Sequence, residues 1–136
     1  MRQLGVFAKY WEPGQVKTRL AATLGDRRAA DLYYAFLKTV LVRFDKRGCA
    51  NLAGEAGGLD CHRVLTYTPR ERHADFARLA AGQWQLEPQA EGDLGRRMKA
   101  YFENAFSQGY HKVLLIGSDA PTLPTGRIVD AFAALQ

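Results

Sequence analysis

Lys17, Thr18 and Arg19 stand together at a change in the chain's pattern. An apolar stretch from Leu4 to Ala8 has just passed through a Pro13-Gly14 turn, and a long helical pattern follows. Two cations and a hydroxyl at a strand-to-helix turn suit a polyphosphate. Lysine supplies a mobile point charge, arginine a planar fork, and the first N–H groups of a helix point outward without partners. The plainer reading of the same residues is a solvated basic loop.

Two further segments carry polar groups at informative places. Gly117-Ser118-Asp119-Ala120-Pro121 follows the continuous apolar run Val113-Leu114-Leu115-Ile116. A carboxylate just beyond such a strand is placed to hold Mg²⁺ or Mn²⁺ against phosphate oxygens, because open α/β sheets bind ligands outside the carboxyl ends of their strands. The alternative is an aspartate capping the next turn. In Gln89-Ala90-Glu91-Gly92-Asp93-Leu94-Gly95-Arg96-Arg97-Met98, a Gln amide can pair with a nucleobase edge, and Gly92 and Gly95 permit close backbone approach. The plainer reading there is a loop and helix start with Arg96 and Arg97 solvated.

Sharper motifs fail. Trp11 and Val16 occupy the two glycine positions that a Walker loop ending at Lys17-Thr18 needs. Ile116 and Ala120 stand where a nucleophile elbow around Ser118 needs glycine. His62, His73 and His111 are dispersed, and Cys49 and Cys61 lack metal-ligand spacing, so the cysteines read as reduced thiols.

The elements that must position these groups alternate. Strands are expected at Leu4–Ala8, Arg63–Tyr67, Trp84–Leu86 and Val113–Ile116. A helix capped by Asp26 should run to about Lys46, burying Ala29, Ala30, Tyr33, Phe36, Leu37, Val40, Leu41 and Phe44. Thr68-Pro69 should open a second helix with Phe76, Leu79 and Ala80 inward, and Asp93 should cap a third that ends at Gly109. A last helix from about Thr125 carries Ile128, Val129, Phe132 and Leu135. The glycine-rich stretch 48–60 reads as a surface loop. Strand–helix alternation in 136 residues predicts one α/β domain with an open, mainly parallel, Rossmann-like sheet and flanking helices.

Charge points the same way. Residues 1–48 hold ten Lys/Arg against four Asp/Glu, whereas the remainder holds nine against ten. The excess of the +5 net charge therefore surrounds the first motif and favours an anionic ligand there. Nucleic acid is not the expected partner, since the nearby aromatics recur at core spacing rather than as stacking platforms. With no apolar run of membrane-spanning length and no leader pattern, a cytoplasmic location and no membrane partner are expected.

All three segments occur in this order in a known family. The chain resembles the bacterial glycosyltransferase-like proteins known as rSAM/selenodomain-associated transferases. Their pattern is Phe-Ala-(Lys/Arg)-x-Pro-x-Pro-Gly-x-x-Lys-Thr-Arg-Leu, then Gln-x-x-Gly-Asp-Leu-Gly-x-Arg-Met, then Ile-Gly-(Ser/Thr)-Asp-x-Pro. Here these are Phe7–Leu20, Gln89–Met98 and Ile116–Pro121, with Trp11 for a usual proline and Ala120 for a frequent cysteine. That family is similar to nucleotide-diphospho-sugar transferases of the GT-A type. The resemblance implies a metal-dependent glycosyl or nucleotidyl transferase domain. Lys17 and Arg19 would meet the phosphates, Gln89 and Gly95 the base and ribose, and Asp119 a Mg²⁺ or Mn²⁺ ion. The full nucleotide- and phosphate-binding set expected from motif and resemblance is Lys9, Lys17, Thr18, Arg19, Gln89, Gly92 and Gly95. No catalytic residue is assigned. Family members usually continue past residue 136 into a segment that forms much of the acceptor site, so the short chain is expected to lack that half. Its exposed sheet edge should then favour a homo-oligomer. The rival classes are a non-catalytic nucleotide or anion module and a basic nucleic-acid-interaction domain.

Overall fold

The computed structural model describes residues 1–45, 61–118, 123 and 125–135. The first strand, β1 (Arg2–Lys9), is followed by the short helix α1 (Thr18–Leu24) and the long helix α2 (Asp26–Arg43). Then come β2 (His62–Thr68), a 3-10 turn at Arg70–Arg72, α3 (His73–Ala80), β3 (Gln85–Pro88), α4 (Leu94–Ser107), β4 (Lys112–Gly117) and α5 (Thr125–Ala134). The strands form one sheet in the order β3-β2-β1-β4, and every pairing is parallel. The expected α/β class with flanking helices is what the chain adopts.

Side-chain alternation along β1 sorts the core into two layers. Leu4, Val6 and Ala8 face a cluster with Leu37, Val40 and Leu41 of α2, Phe76 and Ala80 of α3, and Ile128 and Phe132 of α5. Phe7 faces the other way, toward Tyr101 and Ala105 of α4 and Val113 of β4. Helices thus cover both faces, as parallel strands require. Gly5 is fixed by this arrangement: a Cβ there would lie 2.3 Å from the Tyr101 hydroxyl, which donates to the Leu114 carbonyl at 3.3 Å.

The chain leaves β1 on one side toward β2 and returns on the other side as β4, so the order reverses between β1 and β4. Register places the carboxyl ends together. Lys9 lies opposite Thr68, Phe7 opposite Gly117, and Tyr67 opposite Pro88. That shared rim is where the sequence motifs fall.

A separate short helix, α1, precedes the expected long one, and several boundaries differ from expectation. Asp26 is the first residue of α2 rather than its cap. Gly25, at φ 89°, takes the capping position, because only glycine turns there without a Cβ penalty. The helix ends at Arg43, and the expected loop at 48–60 lies outside the described residues. Thr68 ends β2 instead of opening a helix. The Thr68–Pro69 peptide is cis, the 3-10 turn intervenes, and α3 starts only at His73. The expectation used proline's suitability for a first helical turn, but Pro69 is extended at ψ 161° and stands before the 3-10 turn.

Candidate functional site

The loop after β1 is held by groups on both sides of it. Its backbone begins with Tyr10 N–H donating to the Thr68 carbonyl at 2.9 Å. The Lys9 N–H donates at 2.8 Å to the Tyr33 hydroxyl, which lies on α2 and is buried. The same oxygen accepts from Ser118 Oγ at 2.8 Å. One phenol therefore joins the ends of β1 and β4 across the reversal point. Trp11 packs its ring 4.7 Å from both Tyr10 and Tyr34 and 5.4 Å from Phe76. Aromatic packing thus fixes the loop's path.

Lys9, Gln15, Lys17, Thr18, Arg19 and Tyr33 line one recess of about 430 Å³. Among the described residues its lining holds three cations and no carboxylate. The Lys9 ammonium donates to the Gln15 carbonyl at 2.7 Å, which closes the loop on itself. Lys17 is left-handed at φ 48°, a conformation that costs a non-glycine residue of order 1 kcal/mol or more. Its carbonyl accepts the first α1 hydrogen bond, from Ala21 N–H at 2.9 Å, and its ammonium lies 4.9 Å from the Phe36 ring centre. Thr18 and Arg19 are exposed.

A second recess of about 350 Å³ shares Lys9 and Gln15 with the first and adds Thr68, Pro69 and Arg72. Here the Arg72 guanidinium lies 4.1 Å over the Tyr10 ring and 3.9 Å from the Glu12 carboxylate. A third, of about 550 Å³, shares Thr68 and Pro69 with the second and adds Arg70, Gln89, Glu91 and Arg97. The shared walls make the three a continuous trough along the rim. Among the described residues its charged lining changes from cationic at the β4 side to mixed in sign at the β3 side.

Gln89 sits at that mixed end in a different state from the cations. Its Nε2 donates to the Ala8 and Thr66 carbonyls, both at 3.1 Å, and its backbone N–H donates to the Tyr67 carbonyl at 2.8 Å. Both amide hydrogens are thus occupied in tying β1 to β2. Oε1 retains acceptor capacity beside Arg97 Nη1 at 3.4 Å. Arg97, which the simplest reading left in solvent, is half-buried and also donates from Nε to the Gly92 carbonyl at 2.8 Å. Gly92, at φ 113°, makes the turn that permits this. Asp93 caps α4, accepting from Arg96 N–H at 2.8 Å, as expected. Gly95 follows in the first turn, where a Cβ would meet only Asp93 Oδ1, at 3.5 Å.

The structure therefore brings Lys9, Lys17, Thr18 and Arg19 to one recess and Gln89 to the far end, with Gly92 and Gly95 in the adjoining turn. Asp119 lies outside the described residues. Among the described residues, no group of three His, Cys, Asp or Glu could hold a metal ion. Tyr33 and Ser118 were missed as site residues because a tyrosine at helical spacing reads as core. Two phenols are held protonated beyond the ordinary tyrosine value of 10.0. Burial raises Tyr101, helped by the nearby Glu87 carboxylate. Burial likewise raises Tyr67, with Arg70 pulling the other way.

Residues 54–136 match the family described as "Uncharacterized protein conserved in bacteria (DUF2064)". The chain belongs to that family. Among solved structures it is similar to a Desulfovibrio desulfuricans G20 protein whose crystal structure is described as a "putative nucleotide-diphospho-sugar transferase". The TM-score is 0.80 at 33% identity, over 97% of this chain and 53% of that one. This chain thus spans about half the length of that neighbour. No match was found among curated proteins. The neighbour shows that the chain has a nucleotide-diphospho-sugar transferase-like fold. No helix among the described residues is long and apolar enough to cross a membrane.

Proposed function

We propose that the trough binds a nucleoside diphosphate, as free nucleotide or nucleotide sugar, and that the domain serves metal-dependent glycosyl or nucleotidyl transfer in the cytoplasm. The observation that carries this reading is the change of chemistry along one continuous trough. The recess with Lys9, Lys17 and Arg19, and no carboxylate among the described residues, suits phosphate, and the mixed recess at Arg70, Gln89 and Glu91 suits a group with both donors and acceptors. Its place at the sheet's reversal point is where α/β folds take such ligands.

In this reading Lys17 and Arg19 neutralise the pyrophosphate, Thr18 adds a hydroxyl, and Lys9 holds the loop in shape through Gln15. Cations already in place stabilise the charge that develops on a leaving phosphate without reorganising at that moment. The Gly92–Gly95 turn lets the nucleoside lie against backbone. Asp119 would be the residue to hold a Mg²⁺ or Mn²⁺ ion, which would supply Lewis-acid polarisation of the phosphate.

A thermal-shift screen against nucleoside diphosphates, triphosphates and nucleotide sugars, with and without Mg²⁺ or Mn²⁺, tests this. Ligands that bind only the folded state raise its melting temperature. Stabilisation by diphosphates, larger with metal, is expected. No shift with any nucleotide at millimolar concentration overturns the reading. Binding without turnover of any donor would leave a nucleotide-binding module.

A further inference from the structure

The mixed end of the trough opens into a recess of about 210 Å³ between the ends of β2 and β3 and helix α4, lined by Thr66, Arg70, Glu87, Gln89, Arg97 and Asn104, among others. Its polar groups are differently prepared. Glu87 is half-buried, and its Oε1 accepts from Asn104 Nδ2 at 3.0 Å, which fixes the carboxylate while leaving its second oxygen open. Arg97 is anchored to Gly92 and Gln89. The Gln89 amide hydrogens are occupied by backbone. Arg70 is exposed and lines both this recess and its 550 Å³ neighbour. Its side chain makes no hydrogen bond or ion pair among the described residues.

A guanidinium fork pairs best with two adjacent acceptors, and a carboxylate with two adjacent donors. The bases differ in whether they offer both. Adenine alternates donor and acceptor along its edges, and uracil sets one N–H between two carbonyls. Cytosine has adjacent acceptors but a single exocyclic donor. Guanine alone presents O6 and N7 as neighbouring acceptors and N1–H and N2–H as neighbouring donors. We propose that this recess selects guanine, with Arg70 reading O6 and N7 and Glu87 reading N1–H and N2–H. The inference rests on the nucleotide reading above and adds the identity of the base to it.

The test is a calorimetric series on the chain in Mg²⁺ with GDP, IDP, 7-deaza-GDP, ADP, UDP and CDP. GDP should bind about tenfold or more tighter than ADP, UDP and CDP, the scale of one well-made bidentate contact. IDP lacks the exocyclic amine and 7-deaza-GDP lacks N7, so each should bind several-fold weaker than GDP. Glu87→Gln should bring the GDP-to-IDP ratio toward one, and Arg70→Ala should do the same for GDP against 7-deaza-GDP. Equal affinity for all diphosphates, or a preference for another base, overturns the guanine assignment while the nucleotide reading stands. Ratios unchanged in both variants also overturn it, placing the base elsewhere. Binding of no diphosphate at all defeats both.

Discussion

The two ends of the trough use polar residues in opposite ways. At the β4 side, Thr18 and Arg19 are exposed, and Lys17 holds a left-handed conformation that non-glycine residues rarely adopt. At the β3 side, Gln89, Arg97 and Asp93 donate to or accept from neighbouring protein atoms. The first end is arranged at some cost to local stability and has charge to offer. The second is knitted into the fold, and what it offers a ligand lies at its margin, on Arg70 and Glu87. A motif of polar residues therefore does not announce by itself whether it binds or braces.

The largest expected effect lies beneath the braced end. Gly5→Ala would drive a methyl into the Tyr101 hydroxyl, 2.3 Å away from an ideal Cβ. Overpacking of this kind costs about 1–3 kcal/mol or more, and Tyr101 is held between the sheet and α4. Denaturant unfolding should show a fall at the upper end of that range. A change below 0.5 kcal/mol, on the order of an ordinary surface substitution, would mean that α4 is free to lift.

Gln89→Ala comes next. It removes two donors to the carboxyl ends of β1 and β2, for about 2 kcal/mol at ordinary hydrogen-bond values. In a domain of this size that is roughly a 6–10 °C drop in melting temperature. If Gln89→Ala melts like the parent yet loses nucleotide, the two ends are not different in kind and the comparison breaks.

Arg19→Ala should do the reverse. Nucleotide affinity falls about tenfold, as loss of a charge-assisted contact implies, while the melting temperature stays within about 2 °C, as for an exposed residue. Lys17→Gly sharpens the point, because glycine relieves the left-handed backbone while removing the charge. Weaker binding without lower stability is the expected result, read by titration and melting on the same sample.

The smallest effect is alkaline. Tyr101 and Tyr67 have folded-state values raised above 10.0, so the unfolded chain ionises first. Their contribution is intact below about pH 10 and declines as pH rises beyond it. Unfolding curves at pH 9 and 11 should show this decline, and Tyr101→Phe should flatten it. A stability that is level across that window contradicts the burial of both phenols.

The fold was legible because its signals are local and redundant. The continuous apolar run at Val113–Ile116, the cap at Asp93 and the stripe on residues 26–43 each state their element without help. The cationic loop was legible too, since charge and turn residues coincide there. The remainder depended on contacts distant in sequence. Tyr33 meets Lys9 and Ser118 across 24 and 85 positions, and Gln89 meets Ala8 across 81. Nothing in their spacing marks them as ties. Pro69 misled because its backbone is extended, at ψ 161°, rather than helical, which the dipeptide does not state.

The central claim is that phosphate settles on the loop from Gln15 to Leu20. Its most direct test is a titration of the ¹⁵N-labelled chain with a nucleoside diphosphate and Mg²⁺, followed by backbone amide shifts. The account predicts the largest changes at Gln15–Leu20 and smaller ones at Gln89–Arg97, with the first set lost in Arg19→Ala. Changes centred elsewhere, or none at saturating nucleotide, would contradict it.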